Sequence, residues 1–149
     1  MDSKNFICIF LYMSINGFNP YKVFSFLVKQ QCKKSIMILG VSSEKNTKNT
    51  KHSQALELLE LLEERKIKVQ SFDPYIDAPI ELKTAGPHHW SDEVNIDVVN
   101  YLFKSIDTHI FIGCPHDYIK AITFNKKATI IDLWGILEDN EDLNIIRKL

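Results

Sequence analysis

The sequence is short of many things that would announce a function. Its 149 residues include only five glycines and five prolines, and neither G-x-G-x-x-G nor a P-loop pattern occurs anywhere. A dinucleotide fingerprint and a Walker-type phosphate cradle are therefore excluded, because both need closely spaced glycines to let backbone approach phosphate. Basic excess is missing too: 18 Lys and Arg stand against 19 Asp and Glu, a formal net charge of -1. Nucleic-acid binders gain affinity by releasing counterions through surplus cations, so a nucleic-acid partner is not expected.

The three cysteines, Cys8, Cys32 and Cys114, lack any C-x-x-C spacing that would suggest zinc or a redox dithiol. They read as reduced thiols in a cytoplasmic protein. The one apolar run near the start, Phe6 to Met13, is too short to span a bilayer. Asp2 spoils a basic leader and no small-residue cleavage pattern follows, so this run reads as the end of a buried helix or a packed tail, and no membrane partner is expected. His88-His89 are neighbours without a third ligand at fixed spacing, and no metal site is assigned.

What is present is alternation. Asn19-Pro20 makes a helix start, since Asn caps well and Pro has no N–H to orphan at the first helical position. Val23, Phe24, Leu27 and Val28 then give that helix an apolar side to about Gln31. Ile36 to Leu39 is a short apolar run of the kind buried on both faces of a sheet, closing on Gly40. A polar loop follows from Val41 to His52, carrying Lys45, Lys48 and Lys51, and Ser53 caps a helix with a stripe of Ala55, Leu58, Leu59 and Leu62. A second strand, Val69 to Phe72, stops at Asp73-Pro74.

Beyond an irregular stretch with one short strand near Glu81 to Lys83, Ser91, Asp92 and Glu93 form an acidic helix start. Val94, Val98, Val99, Leu102 and Phe103 supply that helix's buried side. Ile110 to Ile112 is a third strand closed by Gly113, a short helix is expected from Pro115 to about Thr123, and Ala128 to Ile131 is a fourth strand ending at Asp132. The tail from Leu137 is acidic and then weakly helical. Such alternation implies an α/β fold, a three-layer Rossmann-like domain with a mostly parallel sheet flanked by helices. A chain of this length buries about two thirds of its unfolded surface as one core.

Where a strand runs through Gly40 into a polar loop and a helix N-terminus, backbone N–H groups can meet an anion. Asp73, at the end of the second strand, is placed either to accept from a ribose hydroxyl or to serve as a turn carboxylate before Pro74. Cys114 with His116 has the residue types of a nucleophile and base but no orienting third group, and Cys114 reads as a small apolar residue at a strand end.

The stretch Ile38 to Ile76, ILGVSSEKNTKNTKHSQALELLELLEERKIKVQSFDPYI, resembles the C-terminal domain of the UDP-glucose/GDP-mannose dehydrogenase family. That pattern is a strand ending L-G, then F-K-x-x-T-x-D-x-R-x-S, a leucine-rich helix, and a strand closing on Y/F-D-P. DTHIFIGCPHDY (Asp107 to Tyr118) and IIDLWGI (Ile130 to Ile136) are similar to later strands of the family, and Ile15-Asn16 before Pro20 to its I-N-x-x-M-P connection. The resemblance divides the chain into residues 1–33, like the end of the family's central helical region, and residues 34–149, the C-terminal-like domain.

It implies binding of a nucleotide sugar, with Lys45, Asn46, Thr47, Asn49 and Lys51 as the substrate-contacting positions. NAD and a catalytic Cys belong to other parts of the family's enzymes, so this chain alone is expected to bind no cofactor and to be inactive, as a truncated or split dehydrogenase. A separately encoded dehydrogenase chain or self-association is the implied partner; a non-catalytic interaction module is the other reading. Ser43-Glu44 stand where the family has F-K, Asn49 and Lys51 where it has Asp and Arg, and Trp134 where many members carry a polar or basic residue. Lys66 replaces a Gly after the helix, which costs a little if that residue is left-handed. Ligand binding is accordingly expected to be weak.

Overall fold

The structure, a computed structural model, describes residues 17–30, 35–76 and 94–149. The segment Phe6 to Met13, the short strand at Glu81 to Lys83, the His88-His89 pair, the helix start at Ser91 to Glu93, and Cys8 and Cys32 lie outside them.

Helix α1 (Pro20–Lys29) begins as its sequence dictates: Asn19 accepts from the N–H groups of Tyr21 and Lys22, and Pro20 occupies the first turn. Strand β1 (Ile36–Leu39) is buried throughout. Helix α2 (Gln54–Glu64) is capped by Ser53 accepting from Leu56 N–H, and it buries Ala55, Leu58, Leu59 and Leu62. It ends on left-handed Lys66 (φ 58°), with Ile67 N–H returning to Leu62 O and Lys66 N–H to Glu63 O, the paired bonds of a Schellman stop. Then come β2 (Val69–Phe72), α3 (Ile96–Phe103), β3 (His109–Ile112), a short 3-10 helix (Asp117–Ala121), β4 (Thr129–Ile131) and β5 (Asn144–Ile146).

The five strands form one sheet in the order β2-β1-β3-β4-β5, with every pairing parallel. Period-two alternation divides the strand side chains between two apolar layers. Ile36, Ile38, Val69, Phe111 and Ile131 face α1 and α2 together with Phe18, Val23, Leu27, Leu58 and Leu62. Met37, Leu39, Phe72, Ile110, Ile112 and Ile130 face Val99 and Phe103 of α3, with Tyr118 and Ile119 of the 3-10 helix. The three-layer α/β reading thus holds, and the sheet is parallel throughout the described residues.

Three expectations are corrected. The tail is not helical: Asn144 to Ile146 adds a fifth strand, because β4 offers an open edge that an Ile-Ile pair can complete. The segment after Pro115 is a five-residue 3-10 helix, too short to settle into an α-helix. Val28 and Val98, assigned to buried faces, are 41% and 38% exposed, since each lies at the margin of its helix's apolar stripe. Helix α3 takes Asn95 as its N-cap, accepting from the N–H groups of Asp97 and Val98.

Candidate functional site

The strand order reverses between β1 and β3: β2 lies on one side of β1, and β3 on the other. At such a switch point the loops leaving the carboxyl ends of adjacent strands diverge and open a crevice. At the ends of these two strands, two glycines let the backbones pass where a Cβ would clash. Gly40 is left-handed (φ +88°), and a Cβ there would lie 2.9 Å from Cys114 O; a Cβ on Gly113 would run into Gly40 O and Ala55. Gly40 therefore serves strand packing.

One wall of the crevice is the loop leaving β1, and a buried carboxylate holds it. Asp73, directly after β2, is 4% exposed. Its Oδ2 accepts from Val41 N–H (2.9 Å) and Ser42 N–H (3.0 Å), and its Oδ1 accepts from Tyr75 N–H (3.0 Å). Ser42 Oγ lies 2.9 Å from the same Oδ2 and 2.6 Å from Thr47 O, so its single hydrogen ties the loop's base either to Asp73 or to its own far side. Burial pushes the Asp73 carboxyl up, but hydrogen bonding from His116, Val41 N–H and Ser42 outweighs it and leaves the group below the usual carboxylate range. Of the two roles open to Asp73 from sequence, the turn carboxylate is the one these bonds describe.

His116 completes that anchor. Its Nε2 lies 3.0 Å from Asp73 Oδ2, and its Nδ1 accepts from Asn46 N–H at 2.8 Å, which places the ring proton on Nε2. Both side chains of the pair are fully buried. Asn46 is left-handed (φ 57°) and locked reciprocally to Asp117, Nδ2 to Oδ2 at 2.7 Å and Asp117 N–H to Oδ1 at 2.9 Å. Lys45 Nζ sits 2.9 Å from Asp117 Oδ1. Hydrogen bonds from Lys45 and Asn46 hold the Asp117 carboxyl below its ordinary value. Cys114 is buried, and burial with the nearby Asp73 charge pushes its thiol up to about 12, so it stays protonated and unreactive near neutrality.

The opposite wall is the turn after β4. Asp132 is fully buried and accepts from the N–H groups of Gly135 (2.9 Å), Ile136 (3.3 Å) and Leu137 (2.9 Å), with Arg147 Nη1 at 3.2 Å from its Oδ2. That turn presents Trp134. Its Nε1 donates to Ile112 O at 3.0 Å, and its ring meets Phe18 edge-on at 6.4 Å.

Between the walls lies a crevice of about 410 Å³, with Gly113 and Cys114 at its floor, Ser43, Glu44, Asn49 and Lys51 on one side, and Trp134 on the other. Of the five positions implied by the resemblance, Asn49 and Lys51 line this space. Lys45 and Asn46 turn instead toward Asp117 and His116, and Thr47 is spent within the loop, its hydroxyl donating to Glu44 O and accepting from Asn49 N–H. His52 and Gln54 also line the crevice and carry no motif signal beyond their position at the helix start. A second hollow of about 470 Å³, between Lys120, Phe124, Leu137 and Asp139, includes no residue of the β1 loop. Among the described residues no group of three or more His, Cys, Asp or Glu is placed to hold a metal, and no helix is long and apolar enough to cross a membrane.

The model of the UDP-glucose/GDP-mannose dehydrogenase family's UDP binding domain matches residues 37–139. Two solved structures are similar in fold, the native and derivative forms of the UDP-N-acetyl-mannosamine dehydrogenase Cap5O of Staphylococcus aureus. Each superposes with a TM-score of 0.62 at 17% identity over 85% of this chain. The chain spans 30% of the length of the native structure and 29% of the derivative. No curated protein sequence matches. The matched segment takes in both walls of the crevice.

Proposed function

Since the chain belongs to the UDP-glucose/GDP-mannose dehydrogenase family, through that family's UDP binding domain, we propose that it binds a UDP-sugar in the crevice between the β1 loop and Trp134. The observation that carries this is the coincidence of the family-matched loop with the crevice at the β1/β3 switch point. Binding is weak. Lys51 is the one Lys or Arg among the lining residues, and it is opposed there by Glu44, while Lys45 is drawn off to Asp117.

The chain supplies recognition and not oxidation. The close approach of Cys114 to Gly40 supports a reading in which NAD is held elsewhere than at the end of β1. The buried thiol of Cys114 is not a catalytic nucleophile. In this reading, redox chemistry on a bound sugar is the work of a dehydrogenase unit outside the described residues, with a separately encoded chain in the cytoplasm or self-association as the proposed partners. Calorimetric titration with UDP, UDP-glucose and UDP-N-acetylhexosamine tests the binding, and absence of heat with all three would overturn it. The placement of Glu44 inside the crevice favours one second reading, an interaction module that has kept the fold and lost the ligand. A ligand-indifferent chain that co-purifies with a dehydrogenase subunit would establish that instead.

A further inference from the structure

The side chains around the crevice are better suited to one part of a nucleotide than to the rest. A diphosphate calls for convergent cations, and the lining offers exposed Lys51 against exposed Glu44. Of the loop's other two lysines, Lys45 is held 2.9 Å from Asp117, and Lys48 is exposed and not among the lining residues. Most of the remaining lining groups are uncharged hydrogen-bonding groups and one large aromatic surface. Asn49 Oδ1 accepts from Lys51 N–H and Gln54 Oε1 accepts from Phe18 N–H, so each amide is oriented by its oxygen and keeps an NH2 donor. Trp134 is half-buried and fixed before any ligand arrives, by its bond to Ile112 O and its edge contact with Phe18. A fixed indole beside neutral amides matches a flat heterocycle bearing carbonyl acceptors.

We propose that this crevice recognises the nucleoside end of its ligand, the base packing on Trp134, and that the diphosphate contributes little to affinity. The inference rests on the nucleotide-sugar reading of the same crevice, and it assigns Trp134 as the residue that sets specificity. Ordering an indole costs conformational entropy on binding, and here that cost is met in folding.

The full chain is titrated at pH 8 with uridine, UDP and inorganic pyrophosphate, each at low and high salt. Uridine is expected to bind within about fivefold of UDP, because one exposed ammonium adds little in water. Pyrophosphate is expected not to bind, and uridine affinity not to change with salt. Trp134→Ala should weaken uridine and UDP alike by about tenfold. Because Trp134 also packs on Phe18, Trp134→Phe is measured beside it and should restore most of the affinity, while Lys51→Ala should change uridine binding little. UDP binding without uridine binding, or competition by pyrophosphate, overturns the inference and leaves the nucleotide-sugar reading standing. Uridine binding without UDP binding overturns the nucleotide-sugar reading and with it the inference that rests on it. Silence with all three ligands overturns both.

Discussion

The two walls of the crevice are built alike and differ in what seals them. Each hangs from a carboxylate buried just past the carboxyl end of a strand, Asp73 after β2 and Asp132 after β4, and each carboxylate gathers backbone N–H groups of the wall it holds. Asp132 works locally: its N–H donors lie three to five residues ahead, and Arg147 on the end of β5 closes it. Asp73 works across the fold, joining the β1 loop some thirty residues behind it to His116, 43 residues ahead. A local hold can reform from its own turn. A hold spanning three separate segments depends on all of them being in place, so the loop wall is the more fragile of the two.

Asp73→Ala should separate the walls most sharply. It strands the N–H groups of Val41, Ser42 and Tyr75 together with His116 Nε2, and a loss of about 3–5 kcal/mol is expected by urea unfolding. Asp132→Asn keeps one acceptor oxygen and should cost less, about 1–3 kcal/mol, with amide exchange rising at residues 135–137 and not at residues 41–42. Acid gives a graded version of the first experiment. Because the Asp73 carboxyl titrates below its ordinary value when folded, its contribution is complete above about pH 4 and disappears as pH falls through the lower folded value. Hydrogen exchange followed down that range should show the amides of Val41 and Ser42 losing protection.

The smallest effect makes a control remote from both walls. Lys66 pays a steric penalty for its left-handed backbone at the far end of α2, so Lys66→Gly should stabilise the domain by about 0.5–1 kcal/mol in thermal melts and leave ligand affinity unchanged.

The features that were legible in the sequence were local or periodic. The caps at Asn19 and Ser53, the stripe of α2, and the buried runs of β1 and β3 each rest on neighbours within a few residues. That the loop borders a crevice was legible, but which of its side chains line it was not. Lys45 turns away because Asp117 lies across from it, and residue spacing says nothing about a partner 72 positions along. His116 was read beside Cys114 for the same reason: its actual partners, Asp73 and Asn46, are 43 and 70 residues distant. β5 was missed because two isoleucines behind an acidic run carry no strand period of their own and become a strand only against β4.

The bond from Trp134 Nε1 to the Ile112 carbonyl has an optical consequence. An indole held in one orientation at a crevice emits according to the polarity around it, and anything that covers it changes that polarity. The chain has two tryptophans, Trp90 and Trp134, so Trp90→Phe leaves a single fluorophore at the crevice. Its emission maximum would then register occupancy without a label, and its decay time would show whether the ring moves when the loop anchored by Asp73 and His116 is loosened.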